Sequence, residues 1–417
     1  MGNLQSQLLM DTVTLELVSM AHGGAAVGKD KRGRTIFVPY GIPGEKVRVA
    51  ITGDKKKYAH AEIVEILKPS PDRVEPPCPH FGPCGGCHFQ HMRYQAQLKV
   101  KRNVVADQLE RLGGLKKIRV RPTLPNPNPY TYRVDMVLSP APAGGLGYWS
   151  PALREVIAIE VCPISHPRLV ELLHDIDLDL PGLRKLTLRI GLDEALLAAI
   201  EVEDVEPPEL EADFPVSVAI VLPDNTAASL VGDYYIVQAV KGRDFRVSAG
   251  CFFYPSPAAA EHIVDAVLKY AALNGTETVV DAYSGVGTLT AFLSPAAAQV
   301  IAIEVNPDAV ADAAVNLEDT DNVTLYQGYT EDVLPTLDVR GSVMVVHPPA
   351  EGLSRAAIQA VKDAAPRRLI YVSSDVATMA RDSKQLSQDG YHLVEVQPVD
   401  MTPQNFQVDT VSLWQKT

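Results

Sequence analysis

From about residue 258 to the C-terminus, short apolar runs alternate with stretches in which apolar residues recur every three or four positions. The first pattern is typical of buried strands and the second of amphipathic helices. The alternation predicts a doubly wound, mostly parallel sheet that binds ligands at the carboxyl ends of its strands. Strands are predicted at Thr278–Ala282, Gln299–Glu304, Val323–Gln327, Ser342–Val346, Arg367–Ser373, Tyr391–Val396 and Thr410–Trp414, the last two as an antiparallel pair. Helices are predicted at Ala258–Leu273, Leu289–Leu293, Pro307–Asn316, Arg355–Ala364 and Val376–Gln388.

The N-terminal part has a different pattern, with short β-branched runs separated by glycine turns. Strands are predicted at Thr12–Ser19, Thr35–Pro39, Lys46–Thr52 and Ala59–Leu67. Four or five short strands in so few residues favour a small barrel of the OB type. The run Lys55–Lys57 beside Tyr58 favours contact with a phosphate backbone. A β-rich appendage without a ligand is the alternative.

The middle of the chain reads as a mixed, mostly antiparallel domain. A proline-rich boundary precedes a helix at 95–112, which is a candidate to pack on the C-terminal domain. Strands follow at Arg133–Leu138, Leu146–Trp149, Val156–Ile159, Lys185–Ile190, Leu197–Val202, Val216–Leu222 and Tyr234–Val240. We therefore predict a multi-domain α/β protein with an OB-like barrel at 1–69, a central domain at 70–245 and a Rossmann-like domain at 246–417.

Composition shows an uneven distribution of charge and bears on the location of the protein. The 417 residues carry a net charge of −13, yet nine Lys and Arg face three acids between residues 29 and 57. A basic N-terminal stretch in an otherwise acidic protein permits a surface that binds nucleic acid. There is no apolar run of 18 residues, so we expect a cytoplasmic protein without a membrane partner. We also expect a monomer.

The stretch Thr278–Leu289, TVVDAYSGVGTL, carries the main candidate for ligand binding. A strand ends at Asp281, a loop with Ser284, Gly285 and Gly287 follows, and a helix begins. Such a loop presents backbone N–H groups to a ligand. The next strand ends in Glu304, where an acid reaches a ribose hydroxyl pair. The pattern resembles the S-adenosylmethionine (SAM) loop of class I methyltransferases, and a generic βαβ turn is the alternative.

Four of the five cysteines form a three-plus-one pattern, Cys78-x5-Cys84-x2-Cys87 and the later Cys162-Pro163. Disulfides are not expected in the cytosol, and closely spaced thiolates suit zinc or an iron–sulfur cluster. The spacing and the Cys-Pro dipeptide favour a 4Fe–4S cluster over zinc. Two alternatives stay open, namely cysteines buried as small hydrophobes and metal ligation by the neighbouring His80, His88 or His91.

Together these features resemble the RNA uracil-C5 methyltransferases that carry a TRAM barrel and a 4Fe–4S cluster. The resemblance is carried by CPHFGPCGGCHFQH, Tyr132-Arg133, Cys162-Pro163, Phe252-Phe253, DAYSGVGTLT, AIEVNPDAVADAAVNL, HPPAEGL and YVSSDVATMARD. It implies SAM as methyl donor, structured rRNA or tRNA as partner, and a cluster held by Cys78, Cys84, Cys87 and Cys162. The cofactor contacts it implies are Tyr254, Asp281, Ser284, Gly285, Gly287, Glu304, Glu331 and His347.

The chain departs from this family at the reacting positions. In the family mechanism a cysteine thiolate adds to carbon 6 of uracil, carbon 5 takes the methyl group, and a carboxylate removes the proton from carbon 5. Here Ser374 stands at the cysteine position, Asp409 at the general-base position and His347 at the position of a substrate-site acid. A serine hydroxyl without a base is a far weaker nucleophile. The sequence therefore predicts a SAM- and RNA-binding protein with an impaired family reaction; methyl transfer to another RNA atom and a non-catalytic RNA-binding protein are the alternatives.

Overall fold

The N-terminal strands close into a five-stranded barrel, which confirms the predicted architecture. The computed structural model describes residues 12–176, 180–203 and 214–416; residues 1–11, which we assigned to the barrel domain, and Thr417 lie outside them. The strands are β1 (Thr12–Met20), β2 (Ala26–Lys29), β3 (Thr35–Val38), β4 (Lys46–Asp54) and β5 (Tyr58–Lys68). They pair in the order β1-β2-β3-β5-β4. Alternate residues such as Leu15, Leu17, Ile36 and Val38 fill the interior, as the period of a strand requires.

The predicted helix at 95–112 is α1 (Tyr94–Arg111), and it packs on the C-terminal part of the chain. Its buried Val105 and Leu109 share one apolar core with Met379 and Leu386. The two-residue strand β6 (Arg119–Val120), which was not predicted, joins the edge of the C-terminal sheet. The residues from Tyr94 to Val120 therefore pack with the C-terminal layer, and the predicted domain bounds stay predictions.

The central sheet contains β7 (Asp135–Pro140), β8 (Leu146–Ser150), β9 (Glu155–Ala158), β10 (Leu183–Ile190), β11 (Leu196–Val202), β12 (Ser217–Val221) and β13 (Ala227–Val231). Their order is β13-β12-β11-β10-β7-β8-β9. Among these neighbours, β11 and β12 pair in parallel and the other described pairs are antiparallel. The helix α2 (Pro167–Asp175) packs on this sheet and was not predicted.

A hairpin of β14 (Tyr235–Val240) and β15 (Arg243–Ser248) precedes the C-terminal domain and packs against it. The helices that follow are α3 (Pro257–Ala271), α4 (Thr288–Leu293), α5 (Pro307–Asn316), α6 (Thr330–Val333), α7 (Arg355–Ala364) and α8 (Val376–Ser387). The strands are β16 (Thr278–Ala282), β17 (Gln299–Glu304), β18 (Val323–Gln327), β19 (Val343–Val346), β20 (Arg368–Ser373), β21 (Tyr391–Val399) and β22 (Asp409–Lys416).

These strands form the predicted doubly wound sheet, in the order β18-β17-β16-β19-β20-β22-β21-β6. Strands β16 to β20 pair in parallel, and β22 runs antiparallel to both β20 and β21. Nearly every residue of β16 and β19 is buried, because helices cover both faces of a parallel sheet. The carboxyl ends of β16, β17, β19 and β20 therefore lie along one edge, where the predicted site residues are.

Across the described ranges, no helix combines the length and the apolar character that a membrane span needs.

Candidate active site

Asp281 lies at the carboxyl end of β16 and is fully buried. Its Oδ2 accepts a hydrogen bond from the Thr290 hydroxyl at 2.6 Å, whereas its Oδ1 has no partner among the described residues. Burial raises the pKa of Asp281 to about 7, against the hydrogen bonding from Thr290. A buried acceptor without a partner costs free energy, and a donor supplied by a ligand would offset part of this cost.

Two glycines of the loop after β16 have positive φ angles, and at Gly287 a side chain would also lie too close to its neighbours. Gly287 has a φ of +83°, and a Cβ there would lie 2.9 Å from the Leu317 side chain. Gly285 has a φ of +56° with open space where its side chain would be. The Ser284 hydroxyl beside it is buried without a hydrogen-bond partner among the described residues. Before the start of α4 the loop thus offers a ligand open space, backbone N–H groups and one hydroxyl without a partner among the described residues, as expected for a nucleoside-binding turn.

Glu304 ends β17 and holds this loop from the neighbouring strand. Its Oε2 accepts from the backbone N–H of Gly285 at 2.9 Å, and its Oε1 accepts from Val305 and Asn306 at 2.8 Å. Each carboxylate oxygen has two lone pairs, so a ligand hydroxyl can still donate to it. Glu331, on the short helix α6, accepts a hydrogen bond from the Ser354 hydroxyl at 2.8 Å.

An aromatic cluster follows along the same edge of the sheet. The Tyr254 ring stacks on His347, with the ring centroids 5.9 Å apart and the planes at 25°. Phe252 meets both rings edge-on and is 63% exposed. Burial lowers the pKa of His347 to about 4, so the imidazole is neutral at pH 7. Burial raises the pKa of Tyr254, and the charges of Asp281 and Asp409 raise it further.

Ser374 follows β20 and precedes the first turn of α8. It is half-buried, and no described residue forms a hydrogen bond with its hydroxyl. The adjacent Asp375 caps α8, accepting from the backbone N–H of Ala377 at 2.9 Å and of Thr378 at 2.8 Å. The other oxygen of Asp375 lies 3.2 Å from Nε2 of His22, a residue of the barrel. The adjacent Asp375 carboxylate therefore caps a helix and contacts His22 rather than Ser374, and the barrel contacts this loop directly.

Asp409 begins β22 and is buried, and burial raises its pKa to about 7 against the pull of Lys101. Lys101 and Asp400 form an ion pair of 2.5 Å with both side chains fully buried. Lys101 also donates to the Thr402 carbonyl at 3.0 Å. The ammonium group of Lys101 on α1 is therefore directed into the core rather than to solvent.

The four predicted metal-ligand cysteines line one cavity of about 110 Å³. Burial and the neighbouring thiols raise the pKa of Cys87 to about 12, and burial also raises the pKa of Cys78 and Cys84. Within the described ranges, no three His, Cys, Asp or Glu side chains are positioned to hold a single metal ion. His80 lines the same cavity, whereas His91 is buried against Tyr40 and Phe81.

The cysteine loop is joined to the segment that leads to Asp409. The backbone N–H groups of His88 and Phe89 both donate to the Gln404 carbonyl, at 2.8 and 2.9 Å. The Asn405 side-chain amide donates to the Gly86 carbonyl at 3.0 Å. These contacts and the His22–Asp375 pair join residues several hundred positions apart, so the sequence offered no local signal for them.

The sequence is similar to a known domain family and to known RNA methyltransferases. Residues 12–64 match the TRAM domain family. An uncharacterised RNA methyltransferase of Halalkalibacterium halodurans is 32% identical over 97% of this chain and 96% of its own length. One of Bacillus cereus is 34% identical over 95% of each chain.

A similar solved structure is the Pyrococcus abyssi tRNA (uracil-54, C5)-methyltransferase in complex with S-adenosyl-L-homocysteine. It superimposes with a TM-score of 0.71 at 23% identity, over 96% of this chain and 100% of that one. The fold is therefore that of a class I methyltransferase with an N-terminal barrel. The chain belongs to the family of TRAM-containing RNA methyltransferases, as its motifs predicted.

Proposed function

We propose that the protein binds SAM at the carboxyl ends of β16 and β17. The observation that carries this proposal is the pair of buried, unpartnered acceptors, Asp281 Oδ1 and Ser284 Oγ, beside the open space at Gly285. SAM offers an ammonium group and ribose hydroxyls as donors for these oxygens. Glu304 would accept from the ribose, and Tyr254 and His347 would contact the methionine end. Glu331 would lie on the adenine side.

We also propose that the substrate or partner is a structured RNA, rRNA or tRNA. The TRAM barrel would hold it against the edge of the C-terminal sheet where the carboxyl ends of its strands lie. The contact between His22 of the barrel and Asp375 supports this arrangement. Because Asp375 is next to Ser374, an RNA bound on the barrel would lie close to the position where the family nucleophile stands. The relatives named as RNA methyltransferases support the same class of substrate.

The family reaction on carbon 5 of uracil is impaired in our proposal. Ser374 has no hydrogen-bonded base among the described residues, and the Asp375 carboxylate already accepts two backbone N–H groups. Without a base, a serine hydroxyl is almost entirely protonated near pH 7 and adds poorly to a pyrimidine. Asp409 carries a shorter side chain than glutamate at the general-base position; its pKa of about 7 still suits a general base, so the impairment rests on Ser374 and on this shorter reach.

A second candidate is methyl transfer to a different RNA atom, and the neutral His347 favours it. A methyl group on SAM needs only a lone pair in line with it and a group that accepts the released proton. His347 lies against Tyr254 at the proposed methionine end, and its neutral imidazole can position an RNA atom by a hydrogen bond, although its pKa of about 4 makes it a weak proton acceptor. If no RNA atom is methylated, the protein is a binding protein on the same scaffold.

Calorimetric titration with SAM tests the cofactor site. The full-length protein is expected to bind SAM with a dissociation constant of roughly micromolar order, an affinity of about 8 kcal/mol. Glu304→Ala should weaken binding by roughly 10-fold or more, because it removes a charged acceptor for the ribose. Glu318→Ala, which alters an acid outside the proposed site, is the control. Absence of heat with wild-type protein at millimolar SAM would overturn this part of the proposal.

We further propose that Cys78, Cys84, Cys87 and Cys162 hold a 4Fe–4S cluster. The donor set fits, since four cysteines share one cavity and no carboxylate lines it. Thiols packed this closely resist ionisation, and a bound metal centre would stabilise the thiolates by its positive charge. Through Gly86 and Asn405 the occupied site would support the segment that positions Asp409.

Anaerobic purification followed by iron and sulfide analysis tests this cluster. We expect about four iron atoms per chain and a brown protein, with iron lost in Cys84→Ala. Cys251→Ala is the control, because Cys251 is a buried cysteine that does not line the cavity. Colourless protein loaded with zinc would show that the choice of iron is wrong.

A further inference from the structure

Three ring side chains form an exposed cluster on the outer face of the barrel. Phe37 on β3 stacks on His60 of β5, with centroids 5.6 Å apart and planes at 28°. Tyr58, two residues before His60 on the same strand, meets both rings edge-on at 5.9 and 5.5 Å. The register pairs Phe37 with His60 and the interior residue Ile36 with Ala59, so these rings are all on the side away from the barrel core.

The surroundings leave this cluster accessible. Tyr58 is 39% exposed and His60 is also exposed. The residue of β4 that pairs with His60 is Gly53, which has no side chain to cover the ring. Glycine inside a strand often marks a position that a ligand or another backbone approaches closely. Phe37 is half-buried beside Tyr58 and His60, so the rings form an accessible aromatic patch on the barrel surface rather than a filled part of the core.

A basic loop borders the cluster. Lys55, Lys56 and Lys57 connect β4 to Tyr58, all three are exposed, and none forms an ion pair with a described residue. By contrast, Arg34 and Arg48 of the same barrel are neutralised by Asp30, Asp54 and Glu65. Three adjacent lysines without an ion-pair partner among the described residues thus lie directly before Tyr58.

From this arrangement we propose that Phe37, Tyr58 and His60 stack an unpaired base of the RNA while Lys55–Lys57 contact its flanking phosphates. Aromatic rings beside a basic groove are how OB-type barrels hold single strands, because every base has a π face and every nucleotide a phosphate. A regular RNA duplex cannot offer such a base, since its bases are stacked on one another. The inference rests on the proposed RNA binding and adds that the barrel selects single-stranded or looped segments.

A purely structural role for the cluster predicts a different result. Cross-strand ring pairs also stabilise a sheet, and leucine at these positions keeps most of the apolar area while removing the ring face. Phe37→Leu and Tyr58→Leu therefore separate stacking from packing, and Tyr58→Phe keeps the ring but loses the hydroxyl. Val64→Ala alters an exposed apolar residue farther along the same strand and is the matched control.

Fluorescence anisotropy with full-length protein, a uridine single strand of about 12 nucleotides and a duplex of equal length tests the proposal. Wild type should prefer the single strand, and the Tyr58→Leu and Phe37→Leu variants should each bind it roughly 10-fold more weakly. Tyr58→Phe and Val64→Ala should bind like wild type. Replacing Lys55–Lys57 with glutamine should lower the slope of log affinity against log salt by up to about 2.

The outcomes separate this proposal from the proposed function. If wild type binds RNA and the leucine variants bind it equally well, with or without preference for single strands, the stacking site is refuted and the proposed function stands. If wild type binds neither RNA, the RNA part of the proposed function fails as well. A loss of thermal stability in the leucine variants without loss of RNA affinity would assign the rings a structural role only.

Discussion

Replacing Ser374 with cysteine is expected to give a covalent complex with RNA that contains 5-fluorouracil, whereas the wild-type protein gives none. The new thiolate would form a bond to carbon 6, and carbon 5 would then take the methyl group and release S-adenosylhomocysteine. Fluorine at carbon 5 cannot leave as a proton, so the cysteine cannot be expelled. We expect the yield of the complex to be roughly 100-fold or more above the wild-type background, because a thiolate is a far stronger nucleophile near pH 7 than a protonated serine hydroxyl.

The structure offers a matched control for this variant. Ser373 is the adjacent serine, but it is buried at the end of β20 and its hydroxyl donates to the Asp375 carbonyl. Ser373→Cys should therefore give no complex, while a cysteine at position 374 is half-exposed and near the start of α8, where a helix end lowers a thiol pKa. Denaturing gel electrophoresis with SAM and labelled RNA measures the yield. Equal yields from wild type and Ser374→Cys would contradict the role we assign to this position.

Asp281→Asn is expected to weaken SAM binding and yet stabilise the unliganded protein above pH 7. The ordinary pKa of an aspartate is 3.8, and burial raises that of Asp281 to about 7. Between these values the folded state keeps the proton and the unfolded state loses it, so stability falls as pH rises and the full cost is present above pH 7. Asparagine removes this cost, and we expect a gain of about 2–4 kcal/mol at pH 8 and almost none near pH 4.

The same variant should bind SAM roughly 10- to 100-fold more weakly at pH 8, because a neutral amide replaces a charged acceptor. Wild-type affinity should rise between pH 6 and pH 8 as Asp281 ionises, and that of the variant should change less. Denaturant unfolding at pH 4 and pH 8 together with calorimetry measures both effects. Asp363→Asn, at an exposed acid on α7, is the control. A variant that is less stable than wild type at pH 8 would contradict the burial cost that we assign to Asp281.

The sequence predicted the C-terminal sheet closely because its strands are continuous apolar runs with helices between them. Thr278–Ala282 and Gln299–Glu304 have the predicted bounds, and the acids of the site, Asp281 and Glu304, lie at or next to their last residues. Strand β6 was missed, since two residues have no period to detect. Helix α2 was missed as well, within a region where short strands follow one another closely.

The candidate site was predictable only in its local parts. The loop residues from Asp281 to Gly287 are adjacent in the sequence and share one motif. The buried pair of Lys101 and Asp400 and the contact of His22 with Asp375 join residues about 300 or more positions apart. These contacts depend on how the barrel, α1 and the sheet pack together, so periodicity and composition do not reveal them.

The most direct test of the account is the amount of 5-methyluridine that the wild-type protein forms in unmodified rRNA and tRNA. Purified full-length protein, saturating SAM and RNA from cells that lack the modification would be incubated, and the digested nucleosides would be analysed by mass spectrometry. We predict that SAM is bound but that 5-methyluridine stays at the level of the no-enzyme control. Stoichiometric 5-methyluridine formed with multiple turnovers would contradict the loss of the family reaction at Ser374.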